Sequence, residues 1–179
     1  MDEAKLEDSG SGLAPTGDGW FVVNVRDARW WTSDTRGSGW LLEWGDVWFE
    51  QLAVNLRVLE PGQPNGMYHS EATQEAFLVL HGECRLLVEG EERVLRRWDF
   101  FHSAPGTEHI FVGAGDGPCA LLMLGPRVAD EQLHYPVSEL AARYGASAKT
   151  ASSNPDEVYA DAEEPRLGRP ASWGTLPWA

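Results

Sequence analysis

The sequence predicts an all-β barrel or sandwich, and three observations carry that expectation. Short apolar segments recur at Trp20–Val25, Gln51–Leu59, Ala76–Leu80, Cys84–Val88, His109–Val112 and Ala120–Leu124. Each has the length of a strand and is rich in Val, Phe, Trp or Leu. Each is closed by Gly, Pro or a charged turn, with no helical pattern between them. The chain of 179 residues is long enough to bury a proper core as one domain.

Taken in order, residues 1–18 carry five acids against Lys5 and contain Ser9-Gly10-Ser11-Gly12, so they read as a mobile acidic arm. Residues 19–147 are expected to form the barrel domain. Six tryptophans (Trp20, Trp30, Trp31, Trp40, Trp44 and Trp48) precede the central segment. Extra N-terminal strands carrying them are expected to cover an open sheet edge, on the same subunit or across a dimer. Glu89-Gly90-Glu91 is the expected tight turn between Cys84–Val88 and Arg93–Leu95. After the last strong strand, Ser138 caps a short helix over Glu139–Tyr144, with Gly145 placed for a left-handed end. Residues 148–179 form a C-terminal tail with frequent Pro and Gly and a helical turn at Asn154-Pro155; Trp173 and Trp178 imply that the tail docks somewhere.

Lys and Arg number 14 against 28 Asp and Glu, a formal charge of −14. Such a field repels phosphate backbones and anionic lipid, so neither a nucleic-acid nor a membrane partner is expected. Cys84 and Cys119 form no C-x-x-C pair and read as buried strand residues. The acidic N-terminus lacks a signal-peptide pattern, and the expected location is cytoplasmic.

The chemistry is concentrated between residues 62 and 113, which hold four of the five histidines. If Met67–Glu71 is extended, Met67, His69 and Glu71 share one face. Glu75 opens the next strand with Phe77 and Val79 on its side, and a carboxylate on a core face needs compensation. A metal shared with His69 supplies it. His109 enters a strand that is apolar on both faces, completing two imidazoles and a carboxylate. That set suits one divalent ion of Fe, Mn, Zn or Ni. Glu71 stands open between a fourth ligand, a general base and a solvated turn residue. Met67, Phe77 and Phe111 are expected to line the cavity, Met67 chiefly as a gap-filler, with His102 joining them from a strand end.

At these residues the chain resembles the cupin superfamily. The first cupin motif looks like Gly62, six residues, His69-Ser70-Glu71, three residues, Glu75, six residues, Gly82. The second resembles Trp98–Gly113, with Gly106 and His109 at the motif positions. Glu71 stands where the family has its second His, and Trp98, Ala104 and Gly113 replace its usual Gly, Pro and Asn. The resemblance covers roughly residues 50–126 and implies a single-domain cupin: a double-stranded β-helix, or jelly roll, holding one metal inside the barrel. It also implies a homodimer.

Three functions follow as expectations. The first is a mononuclear metal-dependent enzyme acting on a small organic molecule, dioxygenase-like or sugar isomerase-like, since fold and metal do not fix the reaction. The second is a non-catalytic cupin that binds a metal or small molecule. The third is a structural subunit with a vestigial site.

Overall fold

The computed structural model describes residues 1–8, 10–129 and 132–179. Fourteen short strands dominate: β1 (Leu6–Asp8), β2 (Leu13–Pro15), β3 (Trp30–Ser33), β4 (Gly37–Trp40), β5 (Leu52–Leu59), β6 (Ser70–Glu71) and β7 (Glu75–His81), followed by β8 (Glu83–Val88), β9 (Glu91–Arg96), β10 (Phe100–Ser103), β11 (His109–Ala114), β12 (Cys119–Pro126), β13 (Leu133–His134) and β14 (Arg166–Leu167). Two one-turn helices, α1 (Glu139–Ala142) and α2 (Pro155–Val158), lie after the barrel strands.

The main sheet runs β10-β7-β12-β5-β4-β3-β14 and faces a smaller sheet β11-β8-β9. Between them Leu59, Phe77, Val79, Cys84, Leu86, Phe111, Cys119 and Leu121 form the barrel core. Alternation explains the two faces of each strand: on β5, Leu59 points into the barrel while Leu56 and Val58 pack outward against Trp30. The segment before β6 closes the smaller sheet, because Pro64 bridges Val112 and His69 bridges His109. This is the jelly-roll arrangement expected of the sequence.

Turn chemistry sets the register. Glu89 and Gly90 both have positive φ (49° and 77°), a two-residue turn that matches strand twist and pairs Val88 with Glu91. Gly82, the closing glycine of the first motif, has φ +68°, and a Cβ there would lie 2.2 Å from the Pro118 carbonyl oxygen. The α1 cap forms as expected, with Ser138 Oγ accepting from the Ala141 N–H at 3.2 Å. The helix stops two residues short of Tyr144. The Gly145 and Ala146 N–H groups bond back to the Ala142 and Ala141 carbonyls, and that closure ends it.

Several expectations are corrected. Trp20–Val25 is not a strand: only Trp20 makes a bridge, to Glu3, and Trp20 and Val22 are exposed. Asn24 turns the chain there, its carbonyl accepting from the Asp27 and Ala28 N–H groups. The expected arm over residues 1–18 is not free in its described part, residues 1–8 and 10–18; β1 pairs with β2, and Ala4 and Ala14 are buried. The tail beyond 148 joins the main sheet through β14, and Trp173 and Trp178 pack on fully buried Trp30 with ring centroids 5.4 and 6.0 Å away. The N-terminal strands β3 and β4 extend the sheet from β5, so they cover its edge within the same subunit.

Candidate metal centre

Three elements deliver the cluster. His69 lies just before β6, Glu75 opens β7 and His109 opens β11. His69 and His109 are direct partners across the closure of the smaller sheet, so their side chains emerge on the same, inward face. Their ring centroids are 5.2 Å apart. Glu75 pairs with Ser103 across the main sheet and follows Phe77 and Val79 into the interior. One ligand atom from each of His69, Glu75 and His109 lies within 4.8 Å of the others, a spacing compatible with a single metal ion.

Hydrogen bonds fix both imidazoles. His69 Nδ1 lies 2.7 Å from the Met67 carbonyl and His109 Nδ1 lies 3.1 Å from the Thr107 carbonyl. A carbonyl only accepts, so each Nδ1 carries the hydrogen and each Nε2 keeps its lone pair for the cluster. Such a backbone partner on the far nitrogen is the usual support of a metal-ligating histidine. His109 Nε2 then faces Glu75 Oε2 at 3.3 Å, acceptor against acceptor. That contact calls for positive charge between them. Burial, followed by the neighbouring His69, pushes His109 down to about 4, so a proton is poorly suited to the role and a cation fits.

His69 behaves differently. Burial disfavours its charged form, yet Glu71 and the Met67 carbonyl outweigh burial and hold it above the ordinary histidine value. Glu71 Oε1 lies 3.5 Å from His69 Nε2, with its side chain 18% exposed. Glu71 stands outside the three-residue cluster, next to His69 and as exposed as that ring.

An aromatic wall backs the cluster. Phe77, Phe101 and Phe111 surround His109 with centroids at 5.1, 5.7 and 6.2 Å. Phe77 and Phe111, expected to line a cavity, are buried in the barrel core beside His109. His102 does not join them: it is exposed on the outer face of β10, and Phe101 takes the inward position. The reason is register, since the pairs Ser103–Glu75 and Phe101–Phe77 put residue 102 on the opposite face. Met67 lies at the edge of an outer cleft beside the C-terminal tail, its N–H bonded to Tyr159 Oη at 2.9 Å. Tyr135 was not foreseen. It is buried, lies tilted against His69 with ring centroids 5.5 Å apart and exchanges two backbone bonds with Ser152, so the chain after β13 roofs the cluster.

The comparisons agree with this geometry. Residues 55–125 match the family model of the cupin domain, which supports a cupin barrel for that segment of the chain. Among solved structures, it is similar to a sugar phosphate isomerase of the cupin superfamily from Silicibacter pomeroyi, at 29% identity and TM-score 0.50, over 56% of this chain and 65% of that one. A protein provisionally named sugar phosphate isomerase from Acidithiobacillus ferrooxidans aligns at 24% identity and TM-score 0.50, over 56% of this chain and 66% of that one. The polyketide cyclase RemF from Streptomyces resistomycificus aligns at 15% identity and TM-score 0.51, over 62% and 82%; the last two likenesses speak to the fold alone. The match spans just under two thirds of the length of each of the first two. No curated protein matches the sequence. No helix among the described residues is long and apolar enough to cross a membrane.

Proposed function

We propose that the chain is a metal-dependent cupin enzyme that isomerises a small phosphorylated sugar. The observation that carries the metal-dependent part is the acceptor-lined cluster of His69, Glu75 and His109, converging within 4.8 Å. The sugar phosphate is favoured by the 29% identity to the Silicibacter pomeroyi isomerase. A divalent ion bound there supplies a Lewis acid for a carbonyl or hydroxyl oxygen. His69 and His109 hold their Nε2 atoms toward it through the Met67 and Thr107 carbonyls. Phe77, Phe101 and Phe111 exclude water behind it. Glu71, beside His69 and partly exposed, takes a proton from the carbon next to the substrate carbonyl and returns it to the former carbonyl carbon, while the hydroxyl proton passes to the carbonyl oxygen.

The test is incubation of metal-loaded protein with a panel of aldose and ketose phosphates in deuterated water. Interconversion with deuterium entering the carbon next to the carbonyl is the expected result. Oxygen consumption on catechols, flavonols or β-diketones, without isomerisation, would replace this reading with a dioxygenase. Ligand-dependent thermal shifts without any product would replace it with a binding module.

A further inference from the structure

A second pocket, of about 390 Å³, lies where β5, β4 and β3 turn their inner face toward the C-terminal tail, and is walled by Trp31, Arg36, Arg57, Asn65, Tyr159 and Glu164. None of the metal cluster lines it. Its floor follows from strand register. Arg57 on β5 pairs with Gly39 on β4, which pairs with Trp31 on β3. A Cβ at position 39 would lie 2.9 Å from Trp31 Nε1 and 3.1 Å from Arg57 Cδ, so glycine leaves the slot that both side chains share. The Arg57 guanidinium lies 4.4 Å from the Trp31 ring centroid.

Both arginines are bonded to backbone carbonyls. Arg57 Nη2 donates to the Arg36 and Asn65 carbonyls at 2.7 and 2.9 Å, and its Nε is buried without a hydrogen-bond partner. Arg36 Nη2 donates to the Glu163 carbonyl at 2.6 Å, and its Nε is likewise buried and unpartnered. Among the described residues no carboxylate forms an ion pair with either guanidinium. Nearby acids are engaged elsewhere: Glu163 accepts from Ser33, the Asp34 N–H and Arg166, and Asp34 pairs with Arg166. Glu164 is exposed at the rim. Burial pulls Arg57 down to about 10, with Tyr159 opposing the fall and Arg36 adding to it. In a chain with 28 Asp and Glu against 14 Lys and Arg, no described carboxylate pairs with these two. Desolvated like charges held side by side are stabilised by an anion.

We propose that this pocket binds a phosphate group between Arg36 and Arg57. Two guanidinium charges match a dianion, and their N–H groups suit the spread of phosphate oxygens. The pocket exceeds the size of a bare ion, which leaves room for a small organic molecule carrying the phosphate. The inference stands apart from the metal reading, because it uses none of the cluster residues.

The experiment titrates the full, chelator-treated chain with inorganic phosphate and, in parallel, with glycerol phosphate. The arginine Nε–H signals are followed by nitrogen-15 NMR, with sodium chloride at matched ionic strength as control. Saturable shifts of the Arg57 and Arg36 signals are expected, absent with chloride. Arg36→Gln should weaken binding by about tenfold or more, and Arg57→Gln should abolish it. Tighter binding of glycerol phosphate would identify an organic phosphate as the ligand; equal binding would identify the free ion. Shifts that never saturate, or that chloride reproduces, overturn the proposal, as does unchanged affinity in Arg36→Gln. The Arg36 variant decides the matter even if Arg57→Gln fails to fold, since its Nη2 bond goes to a carbonyl of the exposed tail residue Glu163.

Discussion

His69 and His109 exchange both backbone hydrogen bonds, His69 N–H to His109 O at 3.2 Å and His109 N–H to His69 O at 2.8 Å. Forty residues apart in sequence, they are thereby locked as opposite partners, and neither ring can leave the inward face without a shift of register. Each ring is then oriented by a carbonyl two residues earlier in its own chain segment. The cluster is therefore preformed by the backbone.

Glu71 separates ligation from proton transfer. In Glu71→Gln the side chain keeps its shape and loses its basicity, while His69, Glu75 and His109 are untouched. Metal content should remain as in the wild type and turnover should fall by about 10²–10⁴-fold. Metal analysis beside steady-state kinetics checks both; a parallel loss of metal would make Glu71 a ligand.

Gly82 is expected to be intolerant of any side chain. Its φ of +68° and the Pro118 carbonyl oxygen 2.2 Å from an ideal Cβ both oppose alanine. Gly82→Ala should lower stability by about 1–3 kcal/mol, read as a reduced midpoint in urea with an unchanged slope.

Trp30 joins the tail to the barrel. It is fully buried and contacts both Trp173 and Trp178. Trp30→Ala should cost about 3–5 kcal/mol, typical of a large aromatic removed from a core. It should also expose residues beyond Pro170 to limited proteolysis before the barrel is cut. Simultaneous cleavage of tail and barrel would show that the tail is not held through this residue.

Much of this was legible in the chain because it depends on local spacing. Glu75, Phe77 and Val79 share a face by strand periodicity, and the interval from His69 to Glu75 fits one turn between two strands. Features that were not legible depend on pairing between distant segments. His102 and Phe101 are neighbours, and only the register of β10 on β7 decides which points inward. Alternation counted back from Glu75 through its partner Ser103 would have chosen Phe101, had that pairing been known. Tyr135 reaches His69 through the bridge to Ser152, and Trp173 finds Trp30 across the sheet extension. The strand expected at Trp20–Val25 failed for a local reason, since Asn24 captures the backbone in a turn and outweighs the β propensity before it.

The central claim is that His69, Glu75 and His109 hold a metal. Elemental analysis of untagged, freshly purified protein, run beside His109→Ala, tests it most directly. Near-stoichiometric divalent metal in the wild type and its loss from the folded variant are predicted. Wild-type protein that stays metal-free after reconstitution with Fe, Mn, Ni and Zn, or a variant that keeps its full complement, would contradict the account.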